Sequence, residues 1–205
     1  MGAGPGEETV VTWAAEYIGK KYAKPGKVFI GVVSRLDSFV SGVLVLARTS
    51  KAASRLTEQF RDRQSAKKYY ACVEGELIQT QWRTLTAFIR KDDAVHRMVV
   101  VPETAAGAQQ ALLRFRTLAS TKSRSLLEID LLTGRKHQIR LQLSDLGFPI
   151  VGDKKYSARS NFPVGIALHS HQLTITHPTL KEPLTFTAPL PITWQQLPTE
   201  LRAQL

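Results

Sequence analysis

Short stretches with the alternating apolar pattern of β-strands follow one another along most of this chain, with few helical patterns between them. They lie at residues 28–33, 43–47 and 69–73, with shorter ones at 84–89, 97–101, 111–117 and 125–131 and two near the end at 166–175 and 184–187. Helical patterns occur at 10–18, from an N-cap at Ser50 to Arg63, and after Gly134. Because few strand–helix–strand units are visible, the pattern favours a mostly antiparallel α+β fold over a doubly wound parallel one.

Positive charge is concentrated in the first third of the chain. The 205 residues include 28 Lys and Arg against 17 Asp and Glu, a net charge of +11. Residues 17–73 alone contain 12 of the basic and 3 of the acidic side chains. A basic segment of this kind is typical of nucleic-acid-binding proteins, and the alternative is a merely soluble basic surface. We expect a nucleic acid as partner, because the charge surrounds the candidate site described next.

Several classes of protein are disfavoured by the composition. No apolar run approaches the ~20 residues of a membrane span, and the N-terminus is not expected to be a signal peptide. The single cysteine, Cys72, excludes an internal disulfide and fits a cytoplasmic protein. His169, His171 and His177 suggest a metal site, but no acidic or cysteine partner lies near them in sequence, so we expect no metal.

Residues 34–48, Ser-Arg-Leu-Asp-Ser-Phe-Val-Ser-Gly-Val-Leu-Val-Leu-Ala-Arg, place Arg35 and Asp37 directly before a Ser-Gly turn and an apolar run. A loop at the mouth of a buried strand can present both side chains to a ligand. Arginine is suited to phosphates and bases, and the carboxylate beside it is a candidate nucleophile or base. The alternative is a turn-capping aspartate paired with the arginine, which is the commoner role of an isolated Arg-Leu-Asp.

A second polar segment, Thr-Gly-Arg-Lys-His-Gln-Ile-Arg, occupies residues 133–140. If Thr133-Gly134 opens the following helix, free backbone N–H groups lie beside Arg135 and Lys136 in an anion-binding arrangement. Arg140 lies one turn beyond Lys136 and His137, so these three side chains can line one side of the helix. The Arg140 guanidinium can pair with a carboxylate on a neighbouring loop, and the alternative is a solvated basic helix face.

The third segment, Lys-Lys-Tyr-Tyr-Ala-Cys-Val-Glu-Gly at residues 67–75, combines basic and aromatic side chains on a predicted strand. Tyr69 and Tyr70 face opposite sides of such a strand. One tyrosine can stack on a base while Lys67 and Lys68 hold phosphate. The alternative is a tyrosine that belongs to the core.

Taken in this order, the three segments resemble the RluA-type pseudouridine synthases. That family carries a His-Arg-Leu-Asp…Ser-Gly segment, then Lys-x-Tyr-x-Ala, then Thr-Gly-Arg-x-His-Gln-Ile-Arg followed by Gly-x-Pro-Ile-x-Gly-Asp…Tyr. This chain continues with Gly-Phe-Pro-Ile-Val-Gly-Asp-Lys-Lys-Tyr at 147–156, and the likeness extends over residues 27–191. The resemblance implies a mixed, mostly antiparallel, bent β-sheet flanked by helices.

The resemblance also implies an activity and a set of site residues. Pseudouridine synthases isomerise uridines in rRNA or tRNA after flipping the base out of its stack, with neither a metal nor a small-molecule cofactor. By this resemblance Asp37 is the catalytic aspartate, Tyr69 packs against the base and Arg140 pairs with the aspartate. Arg35 takes the place of the flipped nucleotide. The expected RNA contacts are Arg35, Lys67, Arg135, Lys136 and His137.

Two departures from the family pattern modify these expectations. The histidine before Arg-Leu-Asp is Ser34 here, and Lys24-Pro25-Gly26 lies only 11 residues before Asp37, so we expect the family's first strand to be missing. We expect a flexible tail at 1–8 and one catalytic domain at 9–205, acting as a cytoplasmic monomer on RNA. The alternative is a catalytically silent RNA-binding relative, which an Asp37→Asn variant would separate from an enzyme.

Overall fold

The computed structural model describes residues 8–205 and has the predicted mixture of helices and strands. Its α-helices are α1 (Val10–Lys21), α2 (Ser50–Arg61), α3 (Gln138–Asp145) and α4 (Thr199–Arg202). Its strands are β1 (Gly31–Val32), β2 (Ser41–Gly42), β3 (Leu46–Ala47), β4 (Ala66–Glu74), β5 (Arg83–Asp92), β6 (Arg97–Val101), β7 (Gln109–Ser120), β8 (Arg124–Leu131), β9 (Leu168–Thr176) and β10 (Pro183–Thr187). Short 3-10 turns lie at Lys154–Tyr156 and Ile192–Gln196. Of the helices in residues 8–205, none is long and apolar enough to cross a membrane.

One large sheet organises the molecule. Its strands lie in the order β10-β9-β4-β8-β7-β5-β6, with every neighbouring pair antiparallel. β2 adds to β9 as a parallel partner, while β1 and β3 form a separate antiparallel pair. The hairpins β5–β6, β7–β8 and β9–β10 join consecutive strands, which is possible only in an antiparallel arrangement. The predicted mixed, mostly antiparallel α+β fold is therefore confirmed.

Irregular pairing bends the centre of this sheet. The register shifts between Lys68 and Tyr69 of β4, and again between Thr117 and Ala119 of β7. Bulges of this kind bend a strand and increase its twist. β8 lies between these two strands and is buried without interruption over residues 125–129, which indicates that both of its faces are covered.

The apolar runs at 28–33 and 43–47 form much less sheet than the sequence predicts. Only β1, β2 and β3, with two residues each, are regular in this part of the chain. Three valines of these runs, Val33, Val43 and Val45, pack instead against α2 and β9, in a cluster that includes Leu56 and Leu173. Their apolar character therefore reflects burial against a helix rather than pairing within the large sheet.

Helix α1 forms where the sequence predicts it, but none of its residues is buried. Val10 and Trp13 of the predicted apolar face are each 57% exposed, and Tyr17 is 46% exposed. The helix begins at a capping box formed between Thr9 and Thr12. Within the described chain, the apolar face of α1 is left uncovered.

Two boundary predictions are affected by the structure. The cap of α2 is Thr49 rather than Ser50, because the Thr49 hydroxyl accepts a hydrogen bond from the Ala52 N–H at 3.1 Å. The predicted flexible tail at 1–8 falls, except for Glu8, outside the described residues. The domain limits of 9–205 and the missing first strand stay predictions.

Candidate active site

A basic cleft made of two adjoining cavities opens beside the loop that follows β1. The cavities have volumes of about 480 Å³ and 670 Å³. The residues that line both are Arg35, Leu36, Asp37, Gly134, Arg135, His137 and Arg140. The fold therefore brings the first and second polar segments together, although Asp37 and Arg140 are 103 residues apart in the chain.

Asp37 lies in a turn whose far end is anchored to the sheet. Its carbonyl accepts a hydrogen bond from the Val40 N–H at 2.9 Å. The chain then pairs with β9 at Ser170, where Gly42 adopts a φ of 120°. A Cβ on Gly42 would lie 2.2 Å from the Ser170 carbonyl oxygen, so only glycine permits this approach. The Ser-Gly turn of the sequence thus holds the loop that carries Asp37.

Arg140 holds the Asp37 carboxylate through one of three charge-assisted hydrogen bonds. Its Nη1 donates to Asp37 Oδ2 at 3.0 Å, while Nε and Nη2 donate to the two carboxylate oxygens of Asp153 at 2.7 and 2.8 Å. The Arg140 side chain is 5% exposed and that of Asp153 is 1% exposed. Burial alone would lower the pKa of Arg140, but its bonds to Asp153 and Asp37 outweigh burial and raise that pKa. The guanidinium therefore stays charged beside Asp37.

Asp153 completes this arrangement, and reasoning from the sequence assigns it no role. The only sequence signal is its place in the Gly-Asp-Lys-Lys-Tyr stretch at 152–156, which forms part of the family resemblance. In the fold, the 3-10 turn Lys154–Tyr156 follows it directly and packs against α3. This packing places the Asp153 carboxylate against Arg140, where it fixes the direction of the guanidinium.

His137 faces the other oxygen of the Asp37 carboxylate. Its Nε2 lies 3.8 Å from Asp37 Oδ1, and its Nδ1 lies 2.8 Å from Tyr156 Oη. Burial lowers the pKa of His137, Asp37 opposes this shift, and the charges of Arg140 and two lysines add to it. The imidazole is therefore mainly neutral at pH 7. Tyr156, like Asp153, receives no role from the sequence.

The stretch from Thr133 to His137 is a turn and not the start of a helix. α3 begins at Gln138, and His137 precedes it with a φ of 53°. The Gln138 Oε1 accepts hydrogen bonds from the Thr133 hydroxyl at 2.7 Å and from the Arg135 N–H at 3.0 Å. The predicted helix start at Thr133-Gly134 is therefore wrong, and the Arg135 N–H that it was expected to leave free donates to Gln138. The side chains of Arg135 and Lys136 remain at the cleft.

Tyr69 and Lys67 of β4 line the first cavity together with the aspartate. Burial raises the pKa of Tyr69, so its hydroxyl stays protonated. Burial lowers the pKa of Lys67, which indicates an ammonium group that has lost part of its hydration. Lys68 instead pairs with Glu128 and does not line the cleft. Of the two lysines in this segment, only Lys67 is placed to meet an anion in the cavity.

Arg35 is exposed and lines both cavities, so it lies where they meet. Further basic side chains that sequence reasoning did not single out surround it: Arg61 and Arg63 in the first cavity, and Lys154 and Lys155 in the second. Of the described residues that line the cleft, only Asp37 and Asp153 are acidic. The cleft is thus strongly positive around a single accessible carboxylate, which suits a polyanion with one reacting group.

The histidines at 169–177 make structural contacts. His169 Nδ1 lies 2.8 Å from Ser41 Oγ, and His171 Nδ1 lies 3.1 Å from the Ala188 carbonyl oxygen. His177 Nδ1 accepts hydrogen bonds from two backbone N–H groups of the turn that follows it. Among residues 8–205, no group of three or more His, Cys, Asp or Glu side chains is placed to hold a metal ion.

Comparisons with known proteins agree with this geometry. Residues 5–145 match the family model described as RNA pseudouridylate synthase. Ribosomal large subunit pseudouridine synthase D of Xylella fastidiosa is 34% identical over 186 residues, which cover 84% of this chain and 55% of the relative. tRNA pseudouridine synthase C of Salmonella typhi is 33% identical over 184 residues, which cover 81% of this chain and 70% of the relative.

A solved structure has the same fold. Human RNA Pseudouridylate Synthase Domain Containing 4 superposes with a TM-score of 0.70 and 28% sequence identity, over 94% of this chain and 82% of the human one. The chain spans about half the length of several other curated relatives that it matches, at 54%, 52% and 56% of their residues.

Proposed function

We propose, on the premise that this chain belongs to the RNA pseudouridylate synthase family, that it isomerises uridines in RNA to pseudouridine. The observation that carries the proposal is the Asp37 carboxylate, held by Arg140 at 3.0 Å in a cleft lined by basic side chains. The substrate class is rRNA or tRNA, because named relatives are a ribosomal large subunit synthase and a tRNA synthase. The working form is a cytoplasmic monomer, which size-exclusion chromatography of the purified chain and fractionation of its host cells would test.

Asp37 is the reacting group in this proposal. The isomerisation breaks the bond from C1′ to N1 and makes one from C1′ to C5, and a proton leaves C5 while N1 gains one, so nothing is oxidised or reduced. A carboxylate serves as nucleophile or as base in such a reaction only while it is ionised. Arg140 donates a hydrogen bond to the Asp37 carboxylate at 3.0 Å and so fixes its direction in the cleft.

Tyr69 and Arg35 are assigned to the capture of the base. A uridine must leave its stack before its glycosidic bond can reach Asp37, and the unstacking costs a few kcal/mol. Tyr69 lines the cavity beside Asp37 and offers a ring for the extruded base to stack on. Arg35 lies exposed at the junction of the cavities, where its side chain can take the vacated place in the RNA.

The remaining basic side chains are assigned to the RNA backbone. Lys67 lines the first cavity and Lys136 the second, while Arg135 lines both. The Arg135 Nε donates to the Gln110 carbonyl at 3.2 Å, which holds this side chain in place and leaves the end of its guanidinium for phosphate. His137 contacts the RNA from between the cavities.

A catalytically silent RNA-binding relative is the second candidate, and Ser34 is the observation that favours it. Ser34 stands where the family has a histidine, and it lines the first cavity. A missing polar ring at this point would alter the contacts offered to RNA. Because Asp37 and Arg140 keep their mutual contact, we favour the enzyme.

The test compares carboxylate variants on total RNA. Pseudouridine is mapped across rRNA and tRNA from cells with and without the protein. Turnover is then measured with purified protein on purified RNA that carries uridine at the sites found. Asp37→Asn and Asp37→Ala should lose more than about a thousandfold in turnover while keeping most of their RNA affinity. Asp130→Asn is the matched control, because Asp130 pairs with Arg114 outside the cleft and should leave turnover unchanged. Appreciable turnover by Asp37→Ala would refute the assignment, and RNA binding without any isomerisation by the wild-type chain would favour the silent relative.

A further inference from the structure

The donor and acceptor roles in the hydrogen bonds of the Tyr156 hydroxyl are defined. Tyr156 is 3% exposed, so its hydroxyl depends on protein partners. The Met98 backbone N–H donates to Tyr156 Oη at 3.2 Å, because an N–H group can only donate. The remaining partner of Oη among the described residues is His137 Nδ1, at 2.8 Å. A buried hydroxyl that fails to donate is costly, so Tyr156 donates its hydrogen to Nδ1.

The direction of the hydrogen bond from Tyr156 determines which ring nitrogen of His137 carries the hydrogen. An Nδ1 that accepts from Tyr156 is unprotonated, and the neutral ring then carries its hydrogen on Nε2. Nε2 points toward Asp37 Oδ1 at 3.8 Å, which is too long for a strong hydrogen bond. Among residues 8–205, the Nε2–H therefore has no partner within hydrogen-bond distance. It faces the junction of the two cavities, which both have His137 in their lining.

We propose that Tyr156 is a positioning residue that holds His137 as the neutral Nε2–H tautomer, and that this N–H is a donor to a ring carbonyl oxygen of the pyrimidine beside Asp37. The second half of the proposal rests on the proposed function, since it needs a uridine in the cleft. The first half concerns the free protein alone.

Packing around Tyr156 keeps the ring of His137 in this orientation. The two rings meet edge to face, with centroids 5.6 Å apart and planes at 86°. The guanidinium carbon of Arg140 lies 5.1 Å from the centroid of the Tyr156 ring. His137 itself has a φ of 53°, a left-handed conformation that persists only where the surroundings impose it. Tyr156 thus connects the direction of Arg140 with that of His137.

The charges around His137 disfavour a second proton on its ring. The charged and titratable groups that face it are Asp37 from the loop after β1, its neighbour Lys136, Arg140 from α3, and Lys155 and Tyr156 from the 3-10 turn. His96, in the β5–β6 turn, lines the second cavity with it. Three cations against one carboxylate add to the effect of burial, and the pKa of His137 is lowered. The neutral tautomer therefore persists at and above neutral pH.

Nitrogen NMR of the free protein tests the first half. In protein labelled with 15N-histidine at pH 8, the ring signals that disappear in His137→Gln identify His137. Wild type should show an unprotonated Nδ1 and a protonated Nε2. Tyr156→Phe should shift both signals toward a mixture of tautomers. Tyr70→Phe is the matched control, because Tyr70 also packs against a histidine, His171, at 4.7 Å and should leave the His137 signals unchanged. A protonated Nδ1 in wild type, or an unchanged His137 signal in a folded Tyr156→Phe, would overturn the proposal.

Kinetics test the second half. Loss of one hydrogen bond to a neutral group predicts a roughly three- to tenfold fall in turnover for Tyr156→Phe. His137→Gln keeps an amide donor near the Nε2 position and should retain more turnover than the shorter His137→Asn. In the His137→Gln background, Tyr156→Phe should have little further effect, because an amide has no tautomer to fix. Additive losses in that double variant would mean that Tyr156 acts only on stability and would overturn the proposal. A wild-type chain with the expected tautomer but no isomerase activity would refute the proposed function, and with it the donor role, but not the tautomer.

Discussion

Replacing Asp153 by asparagine should destabilise the protein far more than the same replacement at Asp130. Both carboxylates accept a hydrogen bond from an arginine Nε at 2.7 Å, Asp153 from Arg140 and Asp130 from Arg114. The pairs differ in burial. The Arg140 and Asp153 side chains are 5% and 1% exposed, whereas those of Arg114 and Asp130 are 48% and 21% exposed. Residue types and the Nε distance are matched, so the pairs differ in burial and in the second carboxylate oxygen, which Arg140 also bonds in Asp153 and Arg114 leaves free in Asp130.

The expected magnitudes follow from that difference. Breaking a buried ion pair typically costs 3–5 kcal/mol, and we expect about 3 kcal/mol for Asp153→Asn, because Asp37 still accepts from Arg140 and asparagine keeps one oxygen. Breaking the exposed pair should cost less than about 1 kcal/mol. For a domain of this size, about 3 kcal/mol corresponds to a fall of roughly 6–12 °C in Tm.

The assay is urea unfolding monitored by far-UV circular dichroism. A shift of the unfolding midpoint is interpreted as a change in stability only where the dependence of the unfolding free energy on urea concentration is the same in both proteins. Turnover is measured at a temperature where all variants are folded, and Asp153→Asn should also lower kcat, because it releases the guanidinium that orients Asp37. Equal losses of stability for the two variants would refute the reasoning, since burial would then not matter. A large loss of stability with unchanged kcat would show that Asp153 supports the fold without orienting the site.

Four further predictions concern Gly42, Glu128, the RNA interface and Arg35. Gly42→Ala should cost more than about 2 kcal/mol in urea unfolding, because it combines a positive φ with a clash against Ser170, whereas Gly107→Ala, with a positive φ but open space, should cost clearly less. Burial raises the pKa of Glu128, but hydrogen bonds from its two basic partners outweigh this and lower it. The stabilisation that the ionised Glu128 provides should therefore be complete above about pH 4.5. It should vanish as the pH falls through the lower pKa of Glu128 in the folded protein, so that the Tm values of wild type and Glu128→Gln converge in acid. RNA affinity should fall steeply with salt, and Arg35→Ala should keep most of that affinity while losing rate on stacked uridines; equal rate loss on flipped-out uridines would reject its role in flipping.

The local sequence pattern was sufficient to predict most strands of the large sheet. The strand predicted at 97–101 coincides with β6, and those at 84–89, 111–117 and 125–131 fall within β5, β7 and β8. Alternation of apolar and polar residues is a property of consecutive residues, so these elements could be read directly. The runs at 28–33 and 43–47 could not be read in this way, because a short apolar run looks the same whether it pairs in a sheet or packs against a helix.

The start of α3 shows why local reading failed near the site. Thr133 and Gly134 have the residue types of a helix start, yet the helix begins at Gln138. The Gln138 side chain reaches back to Thr133 and Arg135, and it also donates to the Leu112 carbonyl of β7. That last contact joins residues 26 positions apart in the chain, and no window of local sequence contains it.

By itself, the sequence determined the mostly antiparallel fold class, the basic character of the first third, and a family resemblance that points to Asp37 and Arg140. These depend on consecutive residues or on motifs in a fixed order. Only the tertiary structure decided that Asp153 directs Arg140 and that Tyr156 faces His137. Both depend on a 3-10 turn packing against α3. Hydrogen bonds and burial act over a few ångströms in space, so a carboxylate or hydroxyl acquires its role only when the fold supplies its partner.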